Sequence, residues 1–148
     1  MQPSTAIFGC KDYQQLQIIR RMARDLNLAV EIVAHPTVRE PDGLAMSSRN
    51  AYLSTAERQA ALCLSRSLRR AECLVKNGER SAAAILERVH SEIAAEPLAR
   101  LEYATLADGE NLREIDEVSE NAVLALAVWI GKARLIDNVV LQVREVTP

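Results

Sequence analysis

Lys11 and Asp12 stand directly after Gly9 and Cys10 in the stretch "FGCKDYQQL", and Ser47, Ser48 and Arg49 lie near the end of the stretch "PDGLAMSSRN". Together they offer an ammonium, a carboxylate, two small hydroxyls and a rigid guanidinium fork, with glycines that let the backbone bend. Such a set can grip a polyphosphate, because cationic donors make charge-assisted hydrogen bonds to phosphate oxygens and glycine permits close main-chain approach. The same letters also suit a plainer purpose. Lys11 and Arg49 then read as solvated charges, Ser47 and Ser48 as a loop turn, Asp12 as a helix cap and Gln15 as a surface helix residue. Residue types alone leave both readings open.

The elements that must position these residues are partly legible. Thr5 to Gly9, "TAIFG", is a short apolar and β-branched run ending at glycine, which predicts a strand emptying into a tight turn. Asp12 caps the helix expected next, whose buried face repeats at Leu16, Ile19, Ala23 and Leu26, with Asn27 as its stop. Ala29 to Val33 predicts a second strand. Strand, helix and strand in that order form a βαβ unit with parallel strands and a right-handed crossover. Gly9 to Asp12 then lie at the carboxyl end of a strand and the amino end of a helix, where open α/β sheets bind ligands and free N–H groups face anions.

From His35 to Asn50 the periodicity breaks, with Pro36, Pro41 and Gly43 among charges. A loop this long inside a compact chain is usually functional or disordered, and Leu44 and Met46 favour function. Helix returns after Ser54, which forms a capping box with Glu57; Ala60, Leu64, Leu68, Ala71 and Val75 make its stripe and Gly78 its left-handed stop. Ser81 caps another helix with an apolar face at Ile85, Leu86, Val89 and Ile93, ending before Pro97. Arg100 to Leu106, Ala122 to Ile130 and Ala133 to Val143 read as strands, the last two flanking a turn at Gly131 and Lys132, so a three-stranded antiparallel meander is expected.

The fold class is therefore α/β: a partial βαβ segment with the candidate loop, residues 1–49, followed by a small α+β domain, residues 50–148. Two parallel strands and one helix do not make a stable doubly wound sheet, so further structure is expected on the amino-terminal side. With 148 residues, 49% of them hydrophobic, the chain can bury a real core. A net charge of -2 argues against general affinity for nucleic acid or anionic membrane, and with no apolar run long enough to span a bilayer the expected location is cytoplasmic. Cys10, Cys63 and Cys73 are odd in number and lack CxxC spacing, so they read as free thiols, with no metal site.

"FGCKDYQQL", then "PTVREPDGLAMSSRN", then "YLSTAER" resemble the carboxyl-terminal half of pantothenate synthetases, the AMP-forming pantoate–β-alanine ligases, from about Pro3 to Leu141. The resemblance implies a Rossmann sheet of the nucleotidyltransferase superfamily, ATP accompanied by Mg2+ as substrate, and no prosthetic group. Pantoate carboxylate would attack the α-phosphate to give pantoyl adenylate and pyrophosphate, and β-alanine would then displace AMP. It further implies an ATP site of Gly9, Cys10, Lys11, Asp12, Val38, Met46, Ser47, Ser48 and Arg49, with Gln15 binding pantoate and a homodimer as the full-length state. Lys11, Ser47, Ser48 and Arg49 would stabilise charge developing on the phosphates, Gly9 and Asp12 would meet the ribose, and the Val38 backbone the adenine.

The chain departs from the family in two ways. The HxGH motif that supplies the family's catalytic histidines, a second pantoate glutamine and a magnesium-linked aspartate belong to an amino-terminal half absent here, and His35 and His90 match none of these roles. Cys10 stands where relatives usually carry an acidic or amide side chain. Three expectations follow: a ligase half, either a truncated domain or one product of a divided gene, that is active only with its missing half; a non-catalytic ATP-binding module; or a fragment that only folds or only mediates assembly.

Overall fold

The computed structural model describes residues 3–143. Strand β1 (Thr5–Gly9) pairs in parallel with β2 (Glu31–His35), Thr5 opposite Glu31 and Gly9 opposite His35, and helix α1 (Tyr13–Asp25) makes the crossover between them. Asp12 caps α1 by accepting from the Gln15 N–H. The second strand begins two residues later than the hydrophobic run predicts. Asn27 adopts a left-handed φ of 50°, the Leu28 amide bonds back to Ala23, and the Val30 amide bonds to Leu28, so the run's first residues are spent on reversing the chain. Leu26, expected on the buried face, is 64% exposed because it is the helix cap, beyond the last turn that packs.

The stretch expected to be loop is folded upon itself. Arg39 and Ala45 form an antiparallel bridge around a turn in which Gly43 takes a φ of 94°, Leu44 is buried in the main core, and a 3₁₀ helix (Ser48–Tyr52) begins at Ser47. Lack of periodicity concealed it: a single 3₁₀ turn is too short to show one.

Helix α2 (Thr55–Lys76) starts at the expected capping box, with the Ser54 Oγ accepting from the Glu57 amide and the Glu57 carboxylate accepting from the Ser54 amide. Ala60, Leu64, Leu68, Ala71 and Val75 are buried, and Gly78 provides the left-handed stop at φ 99°. Helix α3 (Ala82–Ala94) is capped by Ser81 and buries Ile85, Val89 and Ile93, with Leu86 packed at the margin. Both helices cover an antiparallel sheet of β3 (Ala99–Asp108), β4 (Ala122–Ile130) and β5 (Ala133–Leu141), in that order. Strand β4 is central and almost wholly buried, because its second face is also covered: Tyr13 of α1 packs with Ala107 and Val123, and its hydroxyl donates to the Gly109 carbonyl at 3.0 Å. Thus α1 is docked on the second sheet as well as on its own.

The two sides are unevenly filled. Most buried apolar residues lie between α2, α3 and the three-stranded sheet, whereas Ile7, Ile18, Met22 and Leu28 of the βαβ segment are exposed, Ile7 by 67%. Ser54→Ala should cost about 1 kcal/mol of stability through loss of the α2 cap, read as a lower midpoint in urea with an unchanged slope. No described helix is long and apolar enough to cross a membrane.

Candidate functional site

The β1–α1 turn and the start of the 3₁₀ helix meet. The Lys11 Nζ donates to the Met46 carbonyl at 2.9 Å, tying together two segments far apart in sequence. Each segment is itself anchored. On one side the Cys10 amide donates to the His35 carbonyl, extending the β1–β2 ladder, and Asp12 holds the first turn of α1. On the other, the Met46 amide donates to the Val38 carbonyl, and the Ser47 Oγ accepts from the Arg49 amide at 3.3 Å. Asn50 Nδ2 donates to the Ala45 carbonyl at 3.1 Å and to Glu40, and Arg58 of α2 pairs with Glu40 and with Asp42.

The structure thus brings Gly9, Cys10, Lys11, Asp12, Val38, Met46, Ser47, Ser48 and Arg49 onto two facing segments. Ser48, Arg49, Val38 and Met46 are exposed, as are Asp12 and Gly9, while Cys10, Lys11 and Ser47 are half-buried. Gln15 is exposed on the first turn of α1, where its backbone N–H is taken by Asp12 and its side chain is turned to solvent. Partial burial lowers the Lys11 ammonium below the usual lysine range; Asp137 opposes that by favouring the charge, and Arg49 and Arg39 add to it by repulsion. Hydrogen bonds from Asn50 and then Arg58 hold the Glu40 carboxyl below its usual range. A cleft of about 830 Å³ opens between the 3₁₀ helix and the β4–β5 hairpin; Arg49 lines it with Tyr52, Trp129 and Lys132, and Lys11 does not.

Residues that the motifs did not single out complete the arrangement. Arg39 donates from two nitrogens to the Asp137 carboxylate at 2.7 and 3.0 Å, and Asn138 Nδ2 donates to the carbonyls of Cys10 and Lys11, both at 2.8 Å. Their only trace in the sequence is two strongly polar letters inside an apolar strand, a pattern that demands buried partners without naming them. The His35 ring pairs with the neighbouring Pro36 carbonyl at 2.9 Å, and His90 is exposed on α3. Burial pushes the Cys63 thiol up to about 11, leaving it protonated at neutral pH. Among the described residues no group of three or more His, Cys, Asp or Glu side chains is placed to hold a metal ion.

Comparison with known proteins matches residues 1–140 to the family model of pantoate-beta-alanine ligase. The pantothenate synthetase of Moorella thermoacetica is 49% identical over 145 residues, which is 98% of this chain and 51% of that protein. The crystal structure of the Thermus thermophilus pantothenate synthetase superposes with a TM-score of 0.87 at 41% identity, over 92% of this chain and 49% of that one. A more distant match, at 27% identity and a TM-score of 0.62, covers 93% of this chain and 43% of the pantoate-beta-alanine ligase of Francisella tularensis, crystallised with beta-gamma ATP and beta-alanine. The chain spans about half the length of the curated relatives it matches. On the strength of that match over nearly its whole length, and of a fold and paired motifs that agree with it, the chain belongs to the pantoate-beta-alanine ligase family.

Proposed function

We propose that this chain supplies the ATP-gripping, carboxyl-terminal half of a pantothenate synthetase, and that it condenses pantoate with β-alanine only together with an amino-terminal half carrying the HxGH motif. The observation that carries this reading is the Lys11 to Met46 bond, which holds the two motif segments as facing jaws. An ammonium has three donors. Lys11 can keep Met46 and still offer hydrogens to phosphate oxygens.

In the first step a pantoate carboxylate oxygen forms a bond to the α-phosphorus of Mg-ATP while the bond to the bridging oxygen breaks, and pyrophosphate leaves. In the second, the β-alanine amine attacks the acyl carbon, loses a proton, and AMP departs. Adenylyl transfer needs positioning and charge stabilisation above all. Lys11, Ser47, Ser48 and Arg49 supply the donors. The Asp12 carboxylate keeps one oxygen free of its capping bond for a ribose hydroxyl, Gly9 and Cys10 present backbone to the ribose, and Val38 presents backbone to adenine. Gln15, one turn into α1, reaches the pantoate. The working boundary falls near Arg49, residues 1–49 carrying the jaws and residues 50–148 the supporting domain, with the enzyme located in the cytoplasm and dimeric when whole.

Mixing the chain with an amino-terminal half from a relative should restore AMP release that requires both pantoate and β-alanine, and the chain alone should show no turnover. A well-folded mixture without activity would sink the proposal, and ATP binding by that inactive mixture would favour a non-catalytic module. ATP affinity should also fall as pH rises. Only the charged ammonium binds phosphate, and because burial lowers the Lys11 pKa from 10.5, the fall should begin at a lower pH than for a free lysine and should vanish in Lys11→Ala.

A further inference from the structure

We propose that Asp137 and Asn138, adjacent on β5, are positioning residues that set the two jaws in place, one residue gripping each jaw. The proposal rests on the reading of those segments as nucleotide jaws and names what aligns them. Asp137 is 3% exposed and Asn138 7%. A carboxylate and an amide at such depth, in a strand otherwise written "LIDNVVL", are costly unless fully bonded. Asp137 accepts twice from Arg39 and once from the Asn138 amide at 2.9 Å; Arg39 in turn donates to the Gly43 carbonyl at 3.2 Å, so this contact fixes the turn that leads to Met46. Asn138 spends both amide hydrogens on the Cys10 and Lys11 carbonyls, which orients the main chain from which the Lys11 side chain departs.

The strand's geometry explains why two neighbours are needed. Successive side chains of a strand point to opposite faces. Asp137 therefore serves the segment on one face and Asn138 the segment on the other, and one rigid backbone, hydrogen-bonded along its length to β4, sets the distance between them. The Lys11 to Met46 bond closes the same circuit from the solvent side. Neither β5 residue contacts the exposed donors Ser48 or Arg49 in any of these bonds; Asn138 acts through the backbone it holds, and Asp137 through the Arg39 side chain that reaches the Gly43 carbonyl.

The test is Mg-ATP affinity of the whole chain by titration calorimetry for wild type, Lys11→Ala, Asn138→Ala and the double variant. Asn138→Ala should weaken binding about tenfold. Since Asn138 acts through Lys11, the double variant should lose much less than the product of the two single losses. Asn138→Ser, which keeps one donor, should fall between wild type and alanine, and it carries the same test should the alanine variant not fold. An Asn138 variant within about twofold of wild type, or a double variant equal to the product, overturns the proposal. If wild type and Lys11→Ala do not differ toward ATP, the nucleotide reading fails separately. Positioning is then read from hydrogen exchange of the Cys10 and Met46 amides, which bond to His35 and Val38. Exchange should quicken at Cys10 in the Asn138 variants and at Met46 in Asp137→Asn, with the Val89 amide of α3 unchanged; unaltered exchange at both overturns it.

Discussion

Replacing Lys11 by alanine should lower AMP release by the reconstituted two-piece ligase by about 10²- to 10³-fold, the loss found when a preorganised donor to developing charge is removed. Arg49→Ala should lose a similar factor. The two rest on different physics. Lys11 is half-buried and already aimed by its bond to Met46, so on the proposed reading its ammonium would act where water is partly excluded and would reorganise little as charge builds. Arg49 is exposed, but its backbone is set by Ser47 at the start of the 3₁₀ helix, so its fork is offered from a defined point. Steady-state kinetics should show the loss mainly in kcat, because on the proposed reading the charge these groups meet would be larger in the transition state than in bound ATP. A change below about tenfold would mean that both are ordinary surface charges.

Leu124→Ala should cost about 2 to 5 kcal/mol of stability, far more than any change near the jaws' surface. Leu124 is fully buried in the central strand β4, with Leu106 and Val139 opposite it on β3 and β5 and the α2 and α3 stripes in the same core. Truncation removes transfer energy and leaves a cavity between the sheet and the two helices, under a central strand that hydrogen bonds on both sides keep from shifting to close it. A thermal melt should fall by about 10 °C. Leu26→Ala, the same chemical change on the exposed cap of α1, should stay within about 0.5 kcal/mol. Equal losses at the two positions would contradict the uneven core described for this fold.

How much of this was legible depended on the range of the interaction. Ser54 with Glu57, Ser81, Gly78 and the stripe from Ala60 to Val75 are local features, and the helices they predict are present. Ala122–Ile130 is found at its expected bounds, its carboxyl end marked by the turn at Gly131 and Lys132. The start of β2 was misplaced since hydrophobicity does not say how many residues a chain needs to reverse after Asn27. The 3₁₀ helix hid in a segment without periodicity. The motifs singled out both facing segments through family resemblance, yet nothing in residues 36–50 says that Arg39 reaches Asp137, and nothing in "RLIDN" says that Asn138 reaches the turn after β1. Alternation assigns a residue to a face of a strand and leaves open what lies against that face.

The lopsided distribution of buried side chains bears on how the molecule opens. Regions with few buried apolar contacts have low local unfolding free energies, so the segment from β1 to β2 should form a separate, weaker cooperative unit than α2, α3 and their sheet. Its attachment to the stronger unit runs largely through Tyr13, which donates to Gly109, and through Asn138, which holds the Cys10 and Lys11 carbonyls. On the proposed reading, a nucleotide spanning both jaws would act as a folding ligand for the weaker unit, adding about 2.7 kcal/mol at a hundred times its Kd. Nucleotide occupancy and the integrity of the segment from β1 to β2 would then be two readings of one equilibrium.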